Sequence, residues 1–212
     1  MTPSPDDPPH DFQVDHAAID PRVAGLVLAA GEGRRAGRPK ALVVVDGVRL
    51  ADRAVATLVA GGCSPVLVVT GAAEVSVAGA RTVPNPDWRT GMGSSLRAGL
   101  AALADEPEPP VAVVVGLVDQ PGIGPDAVRR LLAAYRTGAR LVVASYDGRL
   151  RNPVLVARDL WADIAASATG DRGARAFIAA HPELVTAVEC ADVADPRDLD
   201  TADDVAAWGR AD

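Results

Sequence analysis

The chain has 212 residues, 49% of them hydrophobic and 3% aromatic, so it can bury one sizeable core built mostly from Val, Leu and Ala. A formal charge of −7 argues against nonspecific binding to nucleic acid or a membrane surface, and no apolar run reaches the roughly 20 residues of a membrane span. Cys63 and Cys190 lack metal or redox-motif spacing, His10, His16 and His181 cluster with nothing, and no secretion-type leader opens the sequence; zinc is disfavoured and a reducing cytoplasm is expected.

Residues 1–20 are rich in Pro and Asp and cannot bury enough apolar surface to order themselves, which leaves residues 21–212 as a single domain. From Val23 the chain alternates. VAGLVLAA reads as a buried strand, LADRAVATLVAGG as a helix with a glycine stop, and PVLVVT as a strand. GSSLRAGLAAL places Leu96, Leu100 and Leu103 on one helix face, and VAVVVGLV is a strand buried on both sides. PDAVRRLLAAY is a helix with proline near its start, RLVVASY and PVLVA are strands, and DRGARAFIAAH is a helix. VTAVEC and TADDVAAWG supply a last strand and a last helix. This order predicts a three-layer α/β/α domain with a mainly parallel, Rossmann-like sheet. Ligands in such folds sit beyond the carboxyl ends of the strands, where the informative loops fall.

The loop AAGEGRRAGRPK follows the first strand and concentrates Arg34, Arg35, Arg38 and Lys40 on a glycine turn. Gly31, Gly33 and Ala36 match the dinucleotide pattern G-x-G-x-x-A, but that fingerprint requires a helix opening inside the glycine run, and here the helix waits until about Leu50. A Walker loop is excluded because no G-K-[ST] follows. A solvated basic turn is a further possibility. A triphosphate cradle accounts for more: glycine amides approach phosphate closely, while Arg35 and Lys40 offset the charge that a departing pyrophosphate carries. In VVVGLVDQP, Asp119 ends a buried strand, where a carboxylate can hold Mg²⁺ through oxygen; Gln120 would orient that loop. Otherwise Asp119 merely starts the turn before Pro121. Ser94 or Ser95 could cap the helix after NPDWRTGMG, Thr201 could cap the last helix, and Asp171 the helix after Gly170.

The pattern L-A-A-G-x-G-x-R-x-G-x-x-K resembles the signature of the MobA/MocA-type nucleotidyltransferases, with Leu28, Ala29, Ala30, Gly31, Gly33, Arg35, Gly37 and Lys40 falling on it. The resemblance continues through NPDWRTGMGSSLRAGL, DQPGIGP, GDRGAR and DLDTADD, and so covers nearly all of residues 23–208. It implies a GT-A-like fold and a cytoplasmic, Mg²⁺-dependent transfer of a nucleotide to molybdopterin-bound molybdenum with release of pyrophosphate. CTP is implied over GTP, because guanylyl-transferring relatives usually read L-A-G-G where this chain has Ala30. The resemblance implicates Leu28, Ala29, Ala30, Gly31, Gly33, Lys40, Asn85, Gly91, Met92, Gly93 and Ser94 in nucleotide binding. It makes Arg35, Lys40 and Asp119 catalytic and adds Asp200, with Asp198 as the lesser candidate, as a second metal carboxylate. Asn152, Asp171 and Arg175 are the acceptor candidates; relatives usually read G-H-P where this chain has Arg151-Asn152-Pro153, a departure that bears on the acceptor. The product would pass to a molybdoenzyme or its chaperone. Rival expectations are another phosphorylated acceptor (a sugar phosphate or methylerythritol phosphate), a non-catalytic nucleotide-binding chaperone, and an NAD(P)H-dependent oxidoreductase of the nicotine blue type.

Overall fold

The computed structural model describes residues 22–208, so the tail expected over residues 1–20 lies outside the described residues. Seven strands form one sheet. In chain order they are β1 (Val23–Leu28), β4 (Val66–Thr70), β5 (Arg81–Pro84), β6 (Ala112–Leu117), β7 (Leu141–Tyr146), β8 (Arg149–Ala157) and β9 (Val185–Glu189). Between β1 and β4 a two-stranded hairpin, β2 (Val44–Val45) and β3 (Val48–Arg49), precedes the first helix, α1 (Leu50–Gly61). The remaining helices are α2 (Met92–Ala104), α3 (Pro125–Arg136), α4 (Trp161–Ser167), α5 (Arg175–Ala180) and α6 (Ala202–Trp208).

The sheet order is β5-β4-β1-β6-β8-β7-β9, and β8 alone runs antiparallel to its neighbours. From β1 the chain steps outward to β4 and β5, then returns to pair β6 on the other side of β1. The β1/β6 boundary is therefore the topological switch point, and a crevice opens beyond the carboxyl ends of these two strands.

Alternation along the strands builds a core on each face. Val23 and Val27 join Val55 and Leu58 of α1 and Val128 and Leu131 of α3. Leu26 and Leu28 face the other way, toward Leu96, Leu100 and Leu103 of α2, with Ile164 of α4 and Phe177 of α5. Cys63 and Cys190 are free and buried, and burial pushes the Cys63 thiol up to about 12, so it packs as a small hydrophobe.

Four local expectations need correction. The stretch ahead of Leu50, given no element in the sequence reading, forms the β2–β3 hairpin; Asp46 and Gly47 both take positive φ, 50° and 78°, as a two-residue hairpin turn requires. Short β5 and α4 went unread. DRGARAFIAAH divides into a 3₁₀ turn, Gly170–Arg172, and the six-residue α5. The α2 N-cap is Gly91 without a side-chain cap bond; the Ser94 hydroxyl instead donates back to the Gly91 and Asp87 carbonyls at 2.8 and 3.0 Å.

Candidate active site

Beyond β1 the glycine loop turns back sharply. Gly33 has φ 62°, and a Cβ there would lie 2.0 Å from the Arg38 carbonyl oxygen, so only glycine closes this turn. Arg34–Ala36 form one 3₁₀ turn rather than the start of a helix, and α1 begins only at Leu50. The local structure a dinucleotide fingerprint needs is therefore not built at Gly31–Gly33.

At the switch point Lys40 joins two carboxylates distant in sequence. Its ammonium donates to Asp119 Oδ2 and, at 2.6 Å, to Asp200 Oδ1. Arg35 reaches the other Asp200 oxygen at 3.0 Å. Burial pulls the Lys40 pKa down, but the charges and hydrogen bonds of Asp119 and Asp200 outweigh it, and the ammonium titrates above its ordinary value. The Lys40 hydrogen bond holds the Asp200 carboxyl below its ordinary value, against a smaller upward pull from burial. Asp119 Oδ1 is buried and has no hydrogen-bond partner in the protein.

The residues after β9 are latched to the end of β6. Leu199 N–H donates to the Asp119 carbonyl at 2.8 Å, and the Gln120 amide donates to Asp198 Oδ1 at 2.9 Å and the Pro196 carbonyl at 3.3 Å. Gln120 thus fastens Asp198, and burial followed by the nearby Asp119 charge raises the Asp198 pKa. Just beyond, Thr201 and Asp204 form a reciprocal cap: the Asp204 N–H donates to Thr201 Oγ1 at 3.1 Å, and the Thr201 N–H to Asp204 Oδ2 at 2.8 Å. The cap fixes the backbone that presents Asp200.

A cleft of about 620 Å³ opens in front of this cluster, with Ala30, Gly31, Gly33, Lys40, Gly91 and Asp119 on its wall. Leu28 and Met92 also line it, while Ala29 is buried behind. Asn85 is 4% exposed, and its amide donates to Ser94 Oγ and Ser95 Oγ at 2.9 and 3.0 Å while its Oδ1 accepts from the Asp87 N–H at 3.0 Å. Asn85 and Ser94 therefore brace the wall from behind, with their polar atoms engaged in the protein. Asp171 also departs from expectation: it does not cap α5 but accepts from the first N–H of α2, at Met92, over 3.4 Å. The 170 turn packs so closely on Gly91 that a Cβ there would lie 2.4 Å from the Gly170 carbonyl carbon. Glu32, Arg34, Trp88, Arg89 and Ser95 reach the cleft without having been singled out as site residues. Arg89 stacks on the Trp88 ring at 4.3 Å. Trp88-Arg89, just ahead of Gly91, is the sequence signal that could have found that pair.

A second cavity, of about 460 Å³, adjoins the cleft, and both share Leu28, Met92 and Leu117. Asn152 and Arg175 line this second cavity, whereas Asp171 lines the first. The three acceptor candidates are thus divided between two adjoining spaces.

Residues 25–185 match the MobA-like NTP transferase domain. The chain belongs to that family. This MobA-like nucleotidyltransferase is 38% identical over 197 residues to nicotine blue oxidoreductase of Paenarthrobacter nicotinovorans, covering 86% of this chain and 94% of that protein. It is 36% identical over 127 residues to a probable molybdenum cofactor guanylyltransferase of Opitutus terrae, covering 59% of this chain and 62% of that protein. Among solved structures, a Mycobacterium sp. strain JC1 homologue of Mycobacterium tuberculosis Rv0371c superposes with a TM-score of 0.74 at 31% identity, covering 90% of this chain and 98% of that one. The mainly parallel, three-layer architecture expected from the sequence is the one these relatives share. No helix among the described residues is long and apolar enough to cross a membrane.

Proposed function

We propose that the protein transfers CMP from CTP to a phosphorylated acceptor of the molybdopterin type, with Mg²⁺, and releases pyrophosphate. The observation that carries this reading is the meeting of Lys40, Asp119 and Asp200 at the switch point, with one Asp119 oxygen buried and unpartnered. Among the described residues no group of three or more His, Cys, Asp or Glu is arranged for a metal. Asp119 and Asp200 still fit Mg²⁺, which commonly takes one or two carboxylates and completes its shell with water and substrate phosphate oxygens. When bound, the ion would offset charge on the phosphate oxygens.

The chain's own groups do the rest. Amides of the Gly31–Gly33 turn cradle the triphosphate, and Lys40 and Arg35 offset the charge that develops on pyrophosphate. An acceptor phosphate oxygen attacks the α-phosphorus; that bond forms as the bridging P–O bond breaks, and pyrophosphate leaves with the electron pair. The attacking oxygen is already anionic, so no general base is needed. Ala30, which lines the cleft, favours cytosine, because glycine at this position would leave more room for a purine. We place the reaction in the cytoplasm, which suits two free buried thiols, and a molybdoenzyme or its chaperone as recipient of the product.

A second reading, NAD(P)H-dependent reduction, draws on the 38% identity to nicotine blue oxidoreductase. Against it stand the late start of α1 and the Lys40 cluster, for which hydride transfer has no use. Thermal melts with CTP, GTP, ATP and NADPH, with and without Mg²⁺, separate the readings. A ligand at a hundredfold excess over its Kd stabilises by about 2.7 kcal/mol, or roughly 5 °C in a domain of this size. A Mg²⁺-dependent shift largest with CTP is expected. A shift with GTP alone removes the cytidylyl assignment, and a metal-independent shift with NADPH alone removes nucleotidyl transfer.

A further inference from the structure

A third cavity, of about 30 Å³, lies on the α1 and α3 side of the sheet, between those helices and the residues that follow β6. Val27, Leu50, Leu58 and Val128 are among its apolar walls, and Arg53 and Thr57 of α1 and Gln120 are its polar side chains among the described residues. Three buried side-chain polar atoms among the described residues have no hydrogen-bond partner, and two of them, Arg53 Nε and Gln120 Oε1, belong to this lining. The first can only donate and the second can only accept. Arg53 turns its terminal Nη2 to the hairpin, toward the Val45 carbonyl at 3.3 Å and Asp46 Oδ2 at 3.5 Å, which leaves Nε facing inward. Gln120 is 6% exposed, and its amide nitrogen is already engaged with Asp198 Oδ1 and the Pro196 carbonyl. Thr57 stands one helical turn after Arg53. Its hydroxyl donates to the Ile123 carbonyl at 3.2 Å, so the oxygen can still accept.

We propose that this cavity binds ordered water joining Arg53 and Thr57 to Gln120, and that Arg53 is thereby a positioning residue for the segment 196–200. A molecule seated here must accept from Arg53 Nε–H and donate to Gln120 Oε1. The guanidinium excludes a cation, and the amide and hydroxyl oxygens repel an anion, which leaves a small neutral group that both donates and accepts. A volume of about 30 Å³ admits water and little else. Water there accepts from Arg53 and donates to Gln120 and Thr57, about the number of hydrogen bonds that buried water makes. With Oε1 held in this way, the Gln120 amide keeps its N–H groups on Asp198 and Pro196; turned over, it would set its oxygen against the Asp198 carboxylate. Arg53 lines neither the cleft nor the second cavity, yet it reaches the segment that presents Asp200 to Lys40. The water site stands apart from the nucleotidyl-transfer reading; only the effect on Mg²⁺ rests on it.

The test compares the full wild-type chain with Arg53→Met, Thr57→Val and, as control, Asp46→Asn, which removes the hairpin ion pair and leaves Nε in place. High-resolution crystal structures should show water within about 3.2 Å of both Arg53 Nε and Gln120 Oε1 in the wild type, and none there in Arg53→Met. Hydrogen exchange of the Gln120 side-chain amide, followed by NMR, should quicken by about tenfold in Arg53→Met, less in Thr57→Val and not at all in Asp46→Asn. Thermal melts verify that each variant folds. In pyrophosphate release, Arg53→Met should raise the Mg²⁺ concentration for half-maximal rate by about tenfold at unchanged kcat. A wild-type structure without water at this pair overturns the proposal, as do equal changes in Asp46→Asn and Arg53→Met. Unchanged Gln120 exchange in Arg53→Met removes the positioning role. A wild-type protein that releases no pyrophosphate counts against the transfer reading alone, because the crystal and exchange measurements decide the water site without it.

Discussion

The cleft at Lys40 and the cavity beside it share a wall but treat charge in opposite ways. At the cleft Lys40 is tied to Asp119 and to Asp200, and Arg35 to Asp200, so these two cations have carboxylate partners already in place. In the cavity Arg151, Arg172 and Arg175 are exposed, and among the described residues no Asp or Glu shares the lining. On the proposed reading Lys40 passes from carboxylate to phosphate, and Asp119 and Asp200 keep its buried charge paired in the resting protein.

The strongest way to break this contrast is to remove the cleft's own anions. Asp119→Asn should retain the fold and lower turnover by a factor on the order of 10² or more, measured as pyrophosphate release at saturating Mg²⁺. Near-normal turnover at limiting Mg²⁺ would take Asp119 out of the metal role. Next come the cations. Alanine at Lys40 should cost roughly 3 kcal/mol of transition-state stabilisation, at Arg35 less, and at Arg34 or Arg38 least, since Arg34 already pairs with Glu32. Equal losses at all four positions would describe a diffuse patch. Lys40→Met should also let Mn²⁺ bind the nucleotide-free protein about tenfold more tightly, by electron paramagnetic resonance, because the ammonium no longer competes for the two carboxylates.

The pairing also carries a pH signature. Asp200 titrates below its ordinary 3.8, so its contribution is complete above that value and is lost as pH falls through the lowered one. Lys40 titrates above its ordinary 10.5, so its contribution is complete below that value and is lost as pH rises through the raised one. The stability difference between wild type and Lys40→Met, from urea unfolding, should therefore be greatest between these limits and shrink outside them. Ala30→Gly sharpens the base assignment and should move the CTP-to-GTP ratio of kcat/KM toward GTP by about tenfold, the scale of one small apolar group. Thr201→Ala has the smallest expected effect, about 1 kcal/mol of stability, with a raised requirement for Mg²⁺ if the cap positions Asp200.

Much of the fold could be read directly because its elements announce themselves locally. Continuous apolar runs mark β1 and β6, and the spacing of Leu96, Leu100 and Leu103 marks α2. The glycine loop, Asp119 and Asp200 are each visible in the sequence, but their convergence through Lys40 depends on β6 returning beside β1 and on the latch after β9. Asn85 shows the limit from the other side. Its motif points to the nucleotide, while its bonds to Ser94 and Ser95 make it a strut, a distinction that requires three-dimensional neighbours. The second cavity leaves even less local trace. Its floor residues Val115, Leu117, Val143 and Val154 look like ordinary core on three strands, and α5 and the 170 turn complete its lining. The β2–β3 hairpin is different, since Asp46-Gly47 was a local signal available to be read.

The latch after β9 lets architecture and chemistry be separated by a single cut. Every strand of the large sheet is in place by Glu189, yet Asp200 lies beyond it, held through Leu199, Gln120 and the Thr201 cap. A cut in the Asp192–Asp195 stretch would leave every strand of the sheet covalently intact and the Asp200 carboxylate facing Lys40 held by noncovalent contacts alone.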